Sequence, residues 1–383
     1  MKIGIMTFWE SQDNYGQILQ AFALKNYLEN KGHDVFIIKY HRVIPVKTFI
    51  ERLTDFNLKD FIARRITSKK KVKKSGMPSR GFDQFKKKHL NYSRQSYFSL
   101  KDLVQDPPVA DVYISGSDQV WNNTFKVSCE AFLLGFGDNK TIRLSYAASF
   151  GMKNLDKKTR LLFKNNIKRF NGISVREESG VDICNEMGYN KAVWVPDPTL
   201  LFNRYDWTSS LSIDVNSSAQ NKIFVYVVGT GYIKDKQKII DYAGSLPGKN
   251  VSHATANGSQ SGDSFPSIEE WVKSISEADF VITNSFHGMV FCIIFHKKFI
   301  VLPNGGKAAD MNERITSLLE KVGLKDHIMY EFKKSSIDSL LAKEIDWQKI
   351  SIILEEWSKD ASLFFREFLS KKESGAISNY SLL

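Results

Sequence analysis

Three side chains that carry or can accept positive charge, Arg176, His287 and Lys307, each follow a short apolar run and precede an apolar-periodic one. That spacing predicts positions where strands feed helices, and there backbone N–H groups and the helix dipole gather negative charge. In ISVREES, residues 173–179, a guanidinium at a strand end can grip a carboxylate or phosphate through two parallel hydrogen bonds. Pairing with Glu177, Glu178 or Asp197 would give it a structural role instead. In DFVITNSFHGMVFCIIF, residues 279–295, Asn284 and Ser285 make the turn, and an apolar helix starts from about Gly288. A histidine at the mouth of the sheet can give or take a proton; a hydrogen bond by which His287 only ties the turn is the plainer alternative. In PNGGKAADMNERI, residues 303–315, two glycines free the backbone and Lys307 stands before the next helix, placed to reach a phosphate unless it is merely solvated. Together the three describe a site for a small, highly negative ligand.

Two polar loops offer different chemistry. SQDNYGQ, residues 11–17, lies between a first strand and a first helix, and supplies Asp13, Asn14, Tyr15 and Gly16. SGSDQVW, residues 115–121, supplies Ser117 and Asp118 beside an indole. A carboxylate with an aromatic ring suits a sugar, the acid taking hydroxyls and the ring covering an apolar face. Ordinary helix-capping turns would use the same residues. The dinucleotide fingerprint G-x-G-x-x-G is missing from the first loop, and His and Cys show no metal-ligand spacing.

The elements that must position these groups read as strands alternating with helices. Apolar strands are expected at Lys2–Phe8, Asp34–Tyr40, Asp111–Ser115, Ile142–Ala147, Ile173–Arg176 and Ala192–Val195. Pro196-Asp197-Pro198 then breaks the pattern. A second alternation runs through Ile223–Val228, Phe280–Thr283 and Phe299–Leu302, with helices from about Gly288 and over Met311–Lys321; Gly248 to Pro266 reads as polar loop. Trp347, Ile350, Leu354 and Trp357 mark a last amphipathic helix continuing to Leu369. Fully apolar strands alternating with helices imply parallel sheets that bind ligands at their carboxyl ends. The expected fold is α/β, with two Rossmann-like domains facing across a cleft. The divisions are 1–196 on the acceptor side, 197–345 on the donor side, and a helical segment 346–383 that packs back on the first domain.

The net charge of +12 over 383 residues is local. Residues 59–88 hold twelve Lys/Arg against Asp60 and Asp83, a +10 that leaves the rest of the chain at +2. This insertion has few aromatics and no nucleic-acid motif, so nucleic acid is not an expected partner. A solvated face or a cationic patch for an anionic membrane surface remain. With 42% hydrophobic and 25% charged residues the chain reads as globular. The apolar run 289–295 falls far short of the ~20 residues of a membrane span. The start MKIGIMTFWE lacks signal-peptide character, and Cys129, Cys184 and Cys292 read as packing residues in a reducing compartment. Cytoplasmic residence is the expectation.

The ordered set KIGIMTFWESQDNYGQILQAFAL, YISGSDQVWN, SYAASFG, ISVREESG, VPDPTLLF and ITNSFHGMVFCIIFHKKFIVLPN resembles the polysaccharide pyruvyl transferase family over most of the chain. The resemblance implies a GT-B-like architecture and transfer of the enolpyruvyl unit of phosphoenolpyruvate (PEP) to two hydroxyls of a sugar, giving a pyruvate ketal and phosphate. PEP is then a co-substrate and no cofactor or metal is implied. His287 corresponds to the family's catalytic histidine, and Arg176 and Lys307 to its PEP-binding cations, with Ser285 and Gly288 beside them. Asp13, Asn14, Tyr15, Gly16, Ser117 and Asp118 are assigned to the acceptor, expected to be a lipid-linked oligosaccharide of bacterial surface or capsular polysaccharide synthesis met at the inner face of the membrane. A GT-B glycosyltransferase with a nucleotide-sugar donor, or a non-catalytic glycan-binding protein, would share many of these features.

Overall fold

The computed structural model describes residues 1–42, 80–123, 129–215, 221–229, 233–254 and 264–370, with the side chain of Lys307 excepted. Among the described residues, seven strands form the first sheet: β1 (Lys2–Met6), β2 (Asp34–Tyr40), β3 (Tyr92–Tyr97), β4 (Val112–Ser115), β5 (Ile142–Ala148), β6 (Gly172–Val175) and β7 (Val193–Trp194). All pair in parallel in the order β3-β2-β1-β4-β5-β6-β7. Winding reverses between β1 and β4, and the carboxyl ends of those two strands flank the crevice where such sheets bind ligands. Helices α1 (Tyr15–Glu29), α2 (Phe82–His89), α3 (Leu100–Gln105), α4 (Lys157–Asn166) and α5 (Glu178–Glu186) belong to this unit.

The second sheet holds β8 (Lys222–Tyr226), β9 (Asn250–His253), β10 (Phe280–Thr283) and β11 (Lys298–Val301) in the parallel order β11-β10-β8-β9. Its winding reverses between β8 and β10. Around it lie α6 (Arg204–Ser210), α7 (Lys236–Gly244), α8 (Ile268–Glu277), α9 (Phe286–Ile294), α10 (Glu313–Lys321) and α11 (Lys334–Ala342). The fold is thus α/β with two Rossmann-like units in a GT-B-like arrangement. Two edge strands depart from the sequence reading. YSRQSY forms β3, and NVSH forms β9 inside a stretch expected to be loop, because an edge strand covered on one side tolerates polar residues.

Helix α1 explains how the two units meet. It is buried nearly all round, from Tyr15 to Lys25 and again at Leu28, which is the pattern of a helix packed on every side. The Tyr15 ring stacks on Trp271 of α8 (centroids 5.1 Å apart, planes at 5°), and Phe22 meets Trp207 of α6. One apolar cluster therefore runs from Ile3 through α1 to Phe299. The last helix, α12 (Trp347–Leu369), returns to the first sheet. Trp357 Nε1 donates to the carbonyl of Trp194 in β7 (3.0 Å), and Phe365 stacks on Tyr146 of β5. The expected division at residues 196 and 197 falls between β7 and β8. Cys129, Cys184 and Cys292 are free and buried.

Among the described residues no helix is long and apolar enough to cross a membrane. Most of the basic insertion, residues 59–79, lies outside the described residues. In its described end Lys86 is buried, donating to the Ser11 carbonyl (3.3 Å) and pairing with Asp83 (3.0 Å).

Candidate active site

The two winding reversals face each other. From the first unit come the loop after β1 with the start of α1, the turn Ser115–Asp118 after β4, and Arg176 and Glu177 after β6. The second contributes the turn after β10 with the start of α9, and the start of α10. Asp197, in the connection, stands between them.

Asp197 organises the centre. Held between two prolines, it caps the 3-10 turn Pro198–Leu201, its Oδ1 accepting from the N–H (3.0 Å) and hydroxyl (2.7 Å) of Thr199. Its Oδ2 accepts from Arg176 (2.8 Å) and Ser117 (3.3 Å), and stands 3.6 Å from His287 Nε2. Burial alone would raise the pKa of this carboxyl, but the facing His287 and Arg176 overrule it and hold it well below the usual range. Arg176 is also 3.4 Å from Asp118 and 3.7 Å from Glu177. Burial opposes its charge, while Asp197, Asp118 and Glu177 favour it and prevail. Asp118 is likewise shifted down, by Arg176 and His287 against burial. Glu177 goes the other way: desolvation raises it despite Arg176, and Ser149 donates to its Oε1. Three carboxylates therefore surround Arg176, and two of them are firmly ionised.

His287 is the second residue of α9, which starts at Phe286, two residues before the start near Gly288 expected from the sequence. Ser285 is the N-cap, its Oγ accepting from the Gly288 N–H (3.2 Å). Ser285 and Gly288, two of the four residues expected to bind the donor, are thus engaged with each other, and a Cβ on Gly288 would come 2.6 Å from Thr283 Oγ1. Asn284 ties the turn to β8, accepting from Val228 N–H (2.7 Å) and donating to its carbonyl (3.0 Å). The turn is pinned by its neighbours, so His287 is not needed to tie it, and among the described residues its buried Nε2 has no hydrogen-bond partner. The backbone of Lys307 lies in the 3-10 turn Gly306–Asn312; its side chain lies outside what is described.

On the acceptor side Asn14 caps α1, accepting from Gln17 N–H (3.2 Å). Asp13 is half-buried beside Ser11. Gly16 lies against the His287 ring. Asp118, 7% exposed, sits at φ 71°, a left-handed conformation that costs an L-residue roughly 1–2 kcal/mol. Its carbonyl accepts from the N–H groups of Val120 (2.7 Å) and Ser149 (3.0 Å), which hold that geometry. Two residues of this side are engaged within the protein. Tyr15 is fully buried in the aromatic cluster between the units, and its hydroxyl donates to the Pro266 carbonyl (2.6 Å), so it offers a sugar no ring face. Ser117 is fully buried too, its Oγ committed to the Ala147 carbonyl (2.9 Å) and Asp197.

Three members of the cluster were not among the expected site residues. Asp197 was legible as a breaker between prolines and, like Glu177, as a structural partner of Arg176. Arg314 lies inside a stretch singled out for its glycines and lysine. It projects from the first turn of α10, and its guanidinium carbon is 5.6 Å from the centre of the Phe286 ring, over which Arg176 also lies at 4.6 Å.

A sequence profile described as polysaccharide pyruvyl transferase matches residues 14–306. No curated protein matches the chain. Similar solved structures include the UDP-GlcNAc 2-epimerase of Methanocaldococcus jannaschii in complex with UDP-GlcNAc and UDP, at 14% identity over 94% of this chain and 100% of that one, with a TM-score of 0.48. An alpha-glucosyltransferase in complex with UDP and a 13-mer DNA gives 11% identity, 96% and 98% coverage and a TM-score of 0.49. Anabaena HepE in complex with UDP and glucose gives 10%, 95% of each chain and 0.45.

Proposed function

Because the chain belongs to the polysaccharide pyruvyl transferase family, we propose that it moves the enolpyruvyl unit of PEP onto two hydroxyls of a sugar, forming a pyruvate ketal and releasing phosphate. The observation that carries this reading is the buried His287, whose Nε2 has no hydrogen-bond partner among the described residues and stands 3.6 Å from an ionised Asp197. Ketal formation needs a proton delivered to carbon, and an imidazolium facing a fixed carboxylate supplies one.

In the first step His287 gives its proton to C3 of the enol, turning methylene into methyl, while one sugar hydroxyl bonds to C2 and its own proton passes to Asp118 or Asp13. In the second, the other hydroxyl bonds to C2 as the C2–O bond to phosphate breaks, and the phosphate leaves with that hydroxyl's proton. Asp197 steadies the imidazolium before transfer, and Arg176 with Thr199 fixes the carboxylate that does so. A positioned acid of this kind contributes about 10²–10⁴ in rate. No resident cofactor is called for, PEP being consumed as co-substrate.

The acceptor is assigned to bacterial surface or capsular polysaccharide synthesis, carried on a lipid. The basic stretch 59–88 is assigned to the cytoplasmic membrane surface, where each basic residue near anionic lipid is worth ~1 kcal/mol. Neutralising Lys69, Lys70, Lys71, Lys73 and Lys74 should lower co-sedimentation with anionic liposomes; unchanged co-sedimentation would refute the membrane role alone. The reaction is tested by following phosphate release from PEP with a panel of lipid-linked glycans. Release that depends on both substrates is expected, and nucleotide-sugar hydrolysis without PEP consumption would replace this reading with a glycosyltransferase.

A further inference from the structure

The cluster holds two guanidinium groups in unequal circumstances. Arg176 is 3% exposed and has Asp197, Asp118 and Glu177 within 4 Å. Its charge is already matched by protein carboxylates, with Nη1 turned to Asp197, Nη2 to Asp118 and Nε to Glu177. Arg314 is only partly buried, and among the described residues it has no carboxylate within ion-pair distance. Its one hydrogen bond there is from Nε to the Met311 carbonyl (3.4 Å), so both terminal nitrogens are free to donate.

Arg314 nevertheless belongs to the cluster. It shares the Phe286 ring with Arg176, and its charge acts on Asp118 and Glu177. Burial and the neighbouring charge of Arg176 pull its pKa down to about 10. The helix that carries it is docked on the first unit: Glu313 pairs with Lys153 (3.2 Å), the Ser317 hydroxyl accepts from Glu178 N–H (3.3 Å), and Lys321 lies over Trp194 (4.6 Å). The guanidinium is thus held beside like charge, with Asp118, Glu177 and Asp197 acting on it but, among the described residues, none of them within ion-pair distance. A planar fork of donors in that position suits the oxyanion of a carboxylate or phosphate.

We propose that Arg314 is the residue that grips an anionic group of the donor, and that Arg176 is a positioning residue which fixes Asp197 and Asp118. The proposal rests on the PEP reading and redistributes the roles within it. An anion between Arg314 and His287 would place the enol beside the proton it must receive. It would also give Arg314 the close ion-pair partner that it lacks among the described residues.

The test is calorimetric binding of PEP, inorganic phosphate and pyruvate to the full-length wild type, Arg314→Gln and Arg314→Lys, with thermal melts of each. Loss of a charged hydrogen-bonded contact predicts PEP binding weakened about 10–100-fold in Arg314→Gln. Arg314→Lys should fall between, since it keeps the charge and loses the fork. Melting temperature should change little, because the only hydrogen bond lost within the described residues is the long one to the Met311 carbonyl and no protein carboxylate is left unpaired. Weakened phosphate with unchanged pyruvate assigns the grip to the phosphate end, and the converse to the carboxylate; either supports it. PEP binding by Arg314→Gln within twofold of wild type overturns the proposal. Wild type that binds phosphate through Arg314 but not PEP would sink the donor reading and leave the anion grip standing.

Discussion

The imidazole of His287 lies so close over Gly16 that a Cβ added to the glycine would stand 2.0 Å from Nδ1 and 2.3 Å from Cγ. The first turn of α1 and the first turn of α9 come from opposite units, and only the absence of a side chain at residue 16 lets them meet. Gly16 is helical with no left-handed φ. An alanine there would ordinarily gain about 0.5–1 kcal/mol of helix stability, so any loss must come from the contact with His287.

Gly16→Ala therefore tests whether His287 has to sit where it does. The ring must move by an ångström or more, and a displacement of that size costs on the order of 10²-fold in turnover. Steady-state phosphate release with a folded control by circular dichroism checks it. Wild-type turnover would show that the position of the ring is unimportant.

Asp197→Asn and Glu177→Gln should have opposite consequences for stability. Asp197 has a depressed pKa, so its contribution is complete above the unfolded value of 3.8 and is lost only as pH falls through the lower folded value. Its removal leaves Arg176 underpaired, and breaking a buried pair costs about 3–5 kcal/mol. Glu177 has a raised pKa, so its ionisation works against folding as pH climbs from 4.5 through the folded value. Urea unfolding from pH 4.5 to 7 should show a constant deficit for Asp197→Asn. For Glu177→Gln the difference from wild type should move in the stabilising direction as pH rises. Parallel behaviour of the two variants would mean that the carboxylates are not differentiated as described.

Tyr15→Phe separates packing from acceptor binding. Losing the hydroxyl's bond to the Pro266 carbonyl leaves that carbonyl short of a donor, at a cost of about 1–3 kcal/mol. The acceptor KM should stay at the wild-type value, because the ring is sealed between Phe82, Tyr226 and Trp271. A several-fold rise in acceptor KM with an unchanged melting temperature would return Tyr15 to the sugar site.

Much of the frame is legible in the sequence because parallel strands buried on both faces must be apolar throughout. IGIM of β1, VFII of β2 and FVIT of β10 announce themselves, and the turns after them hold Gly16 and His287. The polar edge strands β3 and β9 carry no such pattern. Within the site the legible part was the type of each group, and what was hidden was its partner. Arg176 reads as an anion clamp or as a structural ion pair with Glu177, Glu178 or Asp197, and only three-dimensional proximity shows the pairs with Glu177 and Asp197 formed and Asp118 added. Arg314 lies 27 residues beyond His287 in a different helix. No periodicity links the two, and its significance comes from the missing carboxylate, which a sequence does not display. Tyr15 and Ser117 illustrate the reverse, since polar residues in a loop-like stretch turned out to face inward.

The central claim is that His287 delivers the proton that turns the PEP methylene into the methyl of a ketal. Mass spectrometry of a sugar acceptor incubated with PEP in deuterium oxide measures it directly. Wild type should yield a ketal product carrying one solvent deuteron in its methyl group, with one phosphate released per ketal. His287→Ala should fold with an unchanged melting curve and lose about 10²–10⁴ in rate. Ketal formation at the wild-type rate by His287→Ala would contradict the account.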